Sequence, residues 1–179
     1  GVQEISINVH YLAEQIKKFI DKKNFNAKIN ISSEVNSLLD TGGGVLAGTK
    51  RFNDNPFFVI NPDTLWEKKY LNEVKNLEEI YFKNNKPSLM LIHKRLSFDP
   101  SFGGDFNLHE DIISKSKENK FIFTGLHITN RSFLTSEKSN IFSMNKIWND
   151  LIKNKNLCGL ESKQKFYHLN TFEMYNKIS

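Results

Sequence analysis

A chain of 179 residues with 39% hydrophobic and 12% aromatic content suits one globular domain with a core of ordinary size. No apolar run approaches the ~20 residues of a membrane span. The single cysteine, Cys158, excludes an internal disulfide and any cysteine-based zinc site, and reads as a small buried hydrophobe in a reducing cytoplasm. The net charge of +5 does not indicate nucleic acid, because the three arginines, Arg51, Arg95 and Arg131, are far apart and the lysines are scattered.

Glu4 to Val9 alternates apolar Ile5, Ile7 and Val9 with polar neighbours and predicts a strand. Leu12, Ile16, Phe19 and Ile20 then form a helical stripe, with Lys17, Lys18 and Asp21 outside it. Lys28 to Ile31 alternates again. Glu34 follows in a polar stretch, and Leu38-Leu39-Asp40-Thr41 leads into a loop with three glycines, Gly42-Gly43-Gly44. Two readings of that loop stand side by side. Glycines let a backbone approach a flat or charged ligand, and they also make a mobile turn. Asp40 or Thr41 is equally placed to cap the helix that Val45, Leu46 and Phe52 predict.

Phe57-Phe58-Val59-Ile60 is a continuous apolar run of the buried parallel-strand kind. It ends in Asn61-Pro62-Asp63-Thr64-Leu65-Trp66. Asp63 at that strand end suits a hard cation such as magnesium, or else caps the next helix. Leu71, Val74, Leu77 and Tyr81 keep the helical period from Glu67 to Asn84, and Leu89 to Ile92 predicts a buried strand after Pro87. Gly103-Gly104 and the alternation from Asp105 to Leu108 predict a small antiparallel hairpin closing near Ile112-Ile113. Phe121 to Ile128 is a strand interrupted by Gly125, the mark of a close approach or a bulge. Phe142 to Lys153 is helical, Leu157 to Leu160 and Phe166 to Leu169 are short strands, and Asn170-Thr171 caps a last helix through Ile178. The predicted class is α/β, with a Rossmann-like, mostly parallel (mixed) central sheet, helices on both faces and a small antiparallel hairpin. No Ser-His-Asp order is evident, and the five histidines lack metal-ligand spacing.

Several of these stretches, in this order, resemble the sugar-1-phosphate nucleotidyltransferases, in particular the mannose-1-phosphate guanylyltransferase and N-acetylmuramate-1-phosphate uridylyltransferase branch. They are Asn8-Val9-His10-Tyr11-Leu12, Glu34 with Leu38 to Gly44, Phe57 to Trp66, Gly104-Asp105-Phe106, Phe123 to Leu126, and Phe166 to Thr171. The resemblance implies transfer of a nucleoside monophosphate from a nucleoside triphosphate to a sugar 1-phosphate, with magnesium as cofactor. It implies that Glu34, Asp40, Thr41, Gly42 and Gly43 hold the base and ribose. Asn61 is then a further substrate-binding residue, Gly125 lets the sugar approach the strand backbone, and Asp63 is the catalytic metal ligand. His168 falls where the family commonly has a second aspartate ligand, Asn170 where it has a glycine, and Pro62 where it has a small residue.

The family's opening strand and glycine-rich loop, with its arginine and lysine, precede the strand at Glu4 and lie outside this sequence. The expectation is therefore one domain over 1–179 that lacks those parts. Low activity alone, self-association through the open sheet edge, or complementation by the absent segment would follow. The competing expectation is a nucleotide- or sugar-phosphate-binding remnant without turnover. No nucleic acid and no membrane are expected as partners.

Overall fold

A computed structural model describes residues 1–34, 38–53 and 55–178. The chain forms two compact units, Gly1–Asn55 with Arg131–Ile147 and Pro56–Asn130 with Trp148–Ser179.

In the first unit, the alternating residues of β1 (Glu4–Val9) pair in parallel with β2 (Lys28–Ser33), from Glu4↔Lys28 to Val9↔Ser33. Parallel strands need a crossover, and α1 (Ala13–Asp21) supplies it. Its predicted apolar stripe is poorly covered: Ala13 is buried, but Phe19 is 59% exposed. The residues read as a glycine loop are helical instead. Asp40 to Gly48 form α2, whose first turns contain Gly42, Gly43 and Gly44, all buried. At its far end Arg131 donates to the carbonyl of Leu46 at 2.6 Å and to Thr49 Oγ1 at 3.2 Å. A guanidinium there satisfies a carbonyl that the helix leaves open and complements the negative end of its dipole.

The second unit is built on a six-stranded sheet of order β3-β7-β4-β8-β6-β5. These strands are β3 (Phe57–Ile60), β4 (Ser88–His93), β5 (Asn107–His109), β6 (Ile112–Ser114), β7 (Phe121–Thr129) and β8 (Cys158–Ser162). The α/β class with a mixed sheet holds, but β3 is not a parallel strand. It runs antiparallel to β7, and β4 pairs in parallel only with β8. A short apolar run shows that a strand is buried, not which way its neighbour runs. The hairpin is β5–β6, starting a few residues after the glycines.

Leu89 to Ile92 of β4 are fully buried, as their unbroken apolar run demands. The helix α3 (Leu71–Asn84) sets Leu77 and Tyr81 against Met90, Leu126 and Ile128. Cys158 is buried on β8, and burial pushes its thiol pKa up. The segment Phe166 to Leu169 makes only single bridges, Ser97↔Phe166 and Thr64↔His168, in place of the predicted strand. Two further helices are α4 (Met144–Lys153) and α5 (Phe172–Ile178). No helix among the described residues is long and apolar enough to cross a membrane.

Candidate functional site

In the first unit the predicted nucleotide-side residues do assemble, but largely around one another. Glu34 is 9% exposed, and both its carboxylate oxygens are engaged. Oε1 accepts from Asn8 Nδ2 at 2.8 Å and Oε2 from the Leu39 amide at 3.1 Å. Buried carboxylates persist only when hydrogen-bonded in this way. The start of α2 is similarly occupied. The Thr41 amide donates to Asp40 Oδ1 at 2.5 Å, and the amides of Gly42 and Gly43 donate to the Phe142 carbonyl at 2.9 and 3.1 Å. Thr41 Oγ1 accepts from the Met144 amide at 3.0 Å.

The glycines have a packing reason as well. A Cβ at Gly42 would strike the Phe142 ring, one at Gly43 the Asn140 carbonyl, and one at Gly44 would sit 2.8 Å from Glu34 Oε1. The close approach that three glycines allow is made to this unit's own chain. Phe142 and Asn140 lie about a hundred positions away, so no local pattern reveals them.

The second unit holds Asn61, Asp63, Gly125 and His168 at one end of β3. Here β7 carries a bulge: Leu89 faces His127 and Leu91 faces Phe123, so four steps on β7 oppose two on β4. Gly125 lies in that bulge with φ of +88°. Its carbonyl accepts from the Asn61 amide at 2.8 Å, and a Cβ there would lie 2.7 Å from Asn61 Cβ. Both readings of Gly125 are thus met by one feature, a bulge with a close approach, the approaching group being Asn61.

The chain past β3 is clamped on two sides. Thr64 Oγ1 donates to the Thr124 carbonyl at 2.9 Å. The Leu65 amide donates to the Tyr167 carbonyl at 2.9 Å, and the Leu169 amide to the Asp63 carbonyl at 2.6 Å. The bridge Thr64↔His168 sets the two segments antiparallel.

This clamp brings Asp63 Oδ2 to 3.0 Å from His168 Nε2. Two side chains about a hundred residues apart are thus joined. The His168 ring is stacked on Phe166 at 5.9 Å and meets Phe102 edge-on at 5.2 Å. Among the described residues, Asp63 Oδ1 and His168 Nδ1 are enclosed without a hydrogen-bond partner.

Magnesium, the cofactor the resemblance implies, takes hard oxygen ligands in near-ideal octahedral geometry. Asp63 supplies such an oxygen. His168 supplies a nitrogen, and that nitrogen is already within hydrogen-bond reach of the carboxylate. As a pair of magnesium ligands, these residues do not fit.

Sequence reading missed one polar group in this unit. His127 is 2% exposed, and neither ring nitrogen has a hydrogen-bond partner. It lies against Phe123 and Trp148, whose Nε1 is also unpartnered. Burial depresses its pKa to about 3, so the ring stays neutral. Its neighbours along the chain read as an ordinary strand, which gives no signal of a buried imidazole.

The fold is that of the nucleotidyltransferases. The crystal structure of HddC from Yersinia pseudotuberculosis superposes with a TM-score of 0.77 at 23% identity, covering 99% of this chain and 77% of that one. UDP-glucose pyrophosphorylase complexed with UDP-glucose gives 0.74 at 16% identity, covering 98% and 78%. In sequence, the chain is 24% identical over 177 residues to the N-acetylmuramate alpha-1-phosphate uridylyltransferase of Caulobacter vibrioides, covering 94% of this chain and 73% of that protein. No family model matches. The resemblance to the sugar-1-phosphate nucleotidyltransferases therefore holds across nearly the whole chain.

Proposed function

We propose that the chain acts in nucleotide-sugar synthesis, joining a nucleoside monophosphate from a nucleoside triphosphate to a sugar 1-phosphate. An oxygen of the sugar phosphate attacks the α-phosphorus, the α–β bridging bond breaks, and pyrophosphate leaves. Such a reaction asks the protein mainly for in-line positioning and for control of charge. In this reading Glu34, Asp40, Thr41, Gly42 and Gly43 form the framework for base and ribose, with Glu34 tying Asn8 to the Leu39 amide at the start of α2. Asn61 and Gly125 shape the sugar side. Asp63 orients the reacting groups from the end of β3.

The observation that carries the reading is the clamp at β3. Three backbone or hydroxyl hydrogen bonds and the bulge at Gly125 hold the segment that carries Asp63, and this rigidity supports a positioning role for its carboxylate. A second reading, binding without turnover, is favoured by His168, which occupies one oxygen of the same carboxylate. Both readings take the chain to work without nucleic acid and in the cytoplasm.

The test is pyrophosphate release by the purified chain over a panel of nucleoside triphosphates and sugar 1-phosphates, alongside calorimetric binding of each. Slow release that needs both substrates and falls at least ~100-fold in Asp63→Asn is expected. Tight binding with no release would establish the second reading. Neither binding nor release would sink both.

A further inference from the structure

The pairing of a carboxylate with an imidazole points to a metal preference different from the one the fold family implies. We propose that Asp63 Oδ2 and His168 Nε2 form the protein half of a site for a divalent first-row transition ion, manganese through zinc, in preference to magnesium. The proposal concerns the same site as the reading above, but its test does not depend on catalysis.

Three observations carry it. The first is the distance. Two adjacent ligands about 2.1 Å from an octahedral ion stand about 3.0 Å apart, by simple right-angle geometry. Asp63 Oδ2 and His168 Nε2 are 3.0 Å apart. The spacing is therefore one at which both side chains can ligate a single ion.

The second is that the spacing is imposed by backbone. The Leu169 amide donates to the Asp63 carbonyl at 2.6 Å, the Leu65 amide to the Tyr167 carbonyl at 2.9 Å, and Thr64 bridges His168. The imidazole plane is fixed by its stack on Phe166 and its edge contact with Phe102. Preorganised ligands lose little freedom on binding.

The third is the orphaned oxygen. Among the described residues Asp63 Oδ1 has no hydrogen-bond partner, while the side chain as a whole is 42% exposed, so the carboxylate keeps one oxygen unengaged and can be reached by a cation from solvent.

Donor chemistry then selects the ion. Imidazole nitrogen binds these ions more strongly from manganese up to copper, with zinc below copper, whereas magnesium dehydrates reluctantly and prefers oxygen. No cluster of three or more histidine, cysteine or carboxylate side chains able to hold a metal occurs among the described residues. The remaining coordination positions therefore fall to water and to phosphate oxygens of a bound nucleotide. His168 Nδ1 has no protein acceptor. With no acceptor among the described residues to orient the ring through Nδ1, the site is weak until phosphate completes it.

The test uses the full chain without substrate and then with a non-hydrolysable nucleoside triphosphate analogue. Mg2+, Mn2+ and Co2+ are titrated by calorimetry, and Co2+ also by its visible absorption. Expected is at least ~10-fold tighter binding of Mn2+ or Co2+ than of Mg2+. His168→Asp should raise Mg2+ affinity and erase that gap, and His168→Asn should lose the Co2+ absorption band. Equal or tighter Mg2+ binding by the unmodified chain would overturn the proposal, as would a preference unchanged in both variants or no binding with the analogue present. Ion preference without nucleotidyl transfer would remove only the functional reading. Transfer without the preference would remove only this inference.

Discussion

The two units bury apolar surface very differently, although their sequences look alike in pattern. In the second unit, Leu77 and Leu89 to Ile92 are fully enclosed. In the first, β1 places one residue, Val9, in the buried class and β2 places none. Ile5, Leu12, Ile16 and Phe19 are all at least 36% exposed. A period of two or 3.6 says which side of an element is apolar, but not how much of that side finds a partner. The second unit is held by its core. The first depends more on specific hydrogen bonds around Glu34, Phe142 and Arg131.

Acid should separate the units most. His127 has a depressed pKa of about 3 against an ordinary 6.5. The unfolded chain therefore takes up a proton first as pH falls. Its stabilising contribution is complete above pH 6.5 and is lost progressively toward pH 3, on the order of 5 kcal/mol in all. Denaturant melts followed by Trp148 fluorescence should show that slope, and His127→Phe should flatten it. An unchanged slope in the variant would mean that other groups govern acid unfolding.

Truncation of the packed stripe should cost more than truncation of the open one. Leu77→Ala is expected to lose about 3 kcal/mol, and Ile16→Ala less than about 1 kcal/mol, by urea denaturation. Equal losses would break the contrast between the units.

Gly125→Ala places a side chain at φ +88° and 2.7 Å from Asn61 Cβ. A loss of about 2 kcal/mol should appear in the same melts. Amide exchange should quicken at Asn61, whose hydrogen bond to Gly125 is then strained.

A smaller effect than at Gly125 is expected at Glu34. Replacing it with Gln leaves one side-chain oxygen for two donors, Asn8 Nδ2 and the Leu39 amide. About 1 kcal/mol should be lost, read as faster exchange at the Leu39 amide. Unchanged exchange there would show that the carboxylate does not order this connection.

Much of the element plan is legible in local residues. The strand at Glu4–Val9, the helix through Leu77 and Tyr81, and the buried run Leu89 to Ile92 follow from side-chain periodicity. The glycine stretch shows where that reading stops. Gly42 to Gly44 resemble a loop because glycine is a poor helix former. They lie in a helix all the same, and glycine stands there because Phe142, Asn140, Asn8 and Glu34 press so close that a Cβ would clash.

The α/β class, the main elements and the candidate carboxylates Glu34 and Asp63 can be read from local residues, because periodicity and strand-end position are properties of neighbours along the chain. That β3 lies antiparallel to β7, and that Glu34 uses both oxygens within its own unit, follows from three-dimensional packing alone. So does the meeting of Asp63 with His168 at 3.0 Å. Each of those facts depends on residues far apart in the chain, brought together by hydrogen bonds and packing that no local pattern encodes.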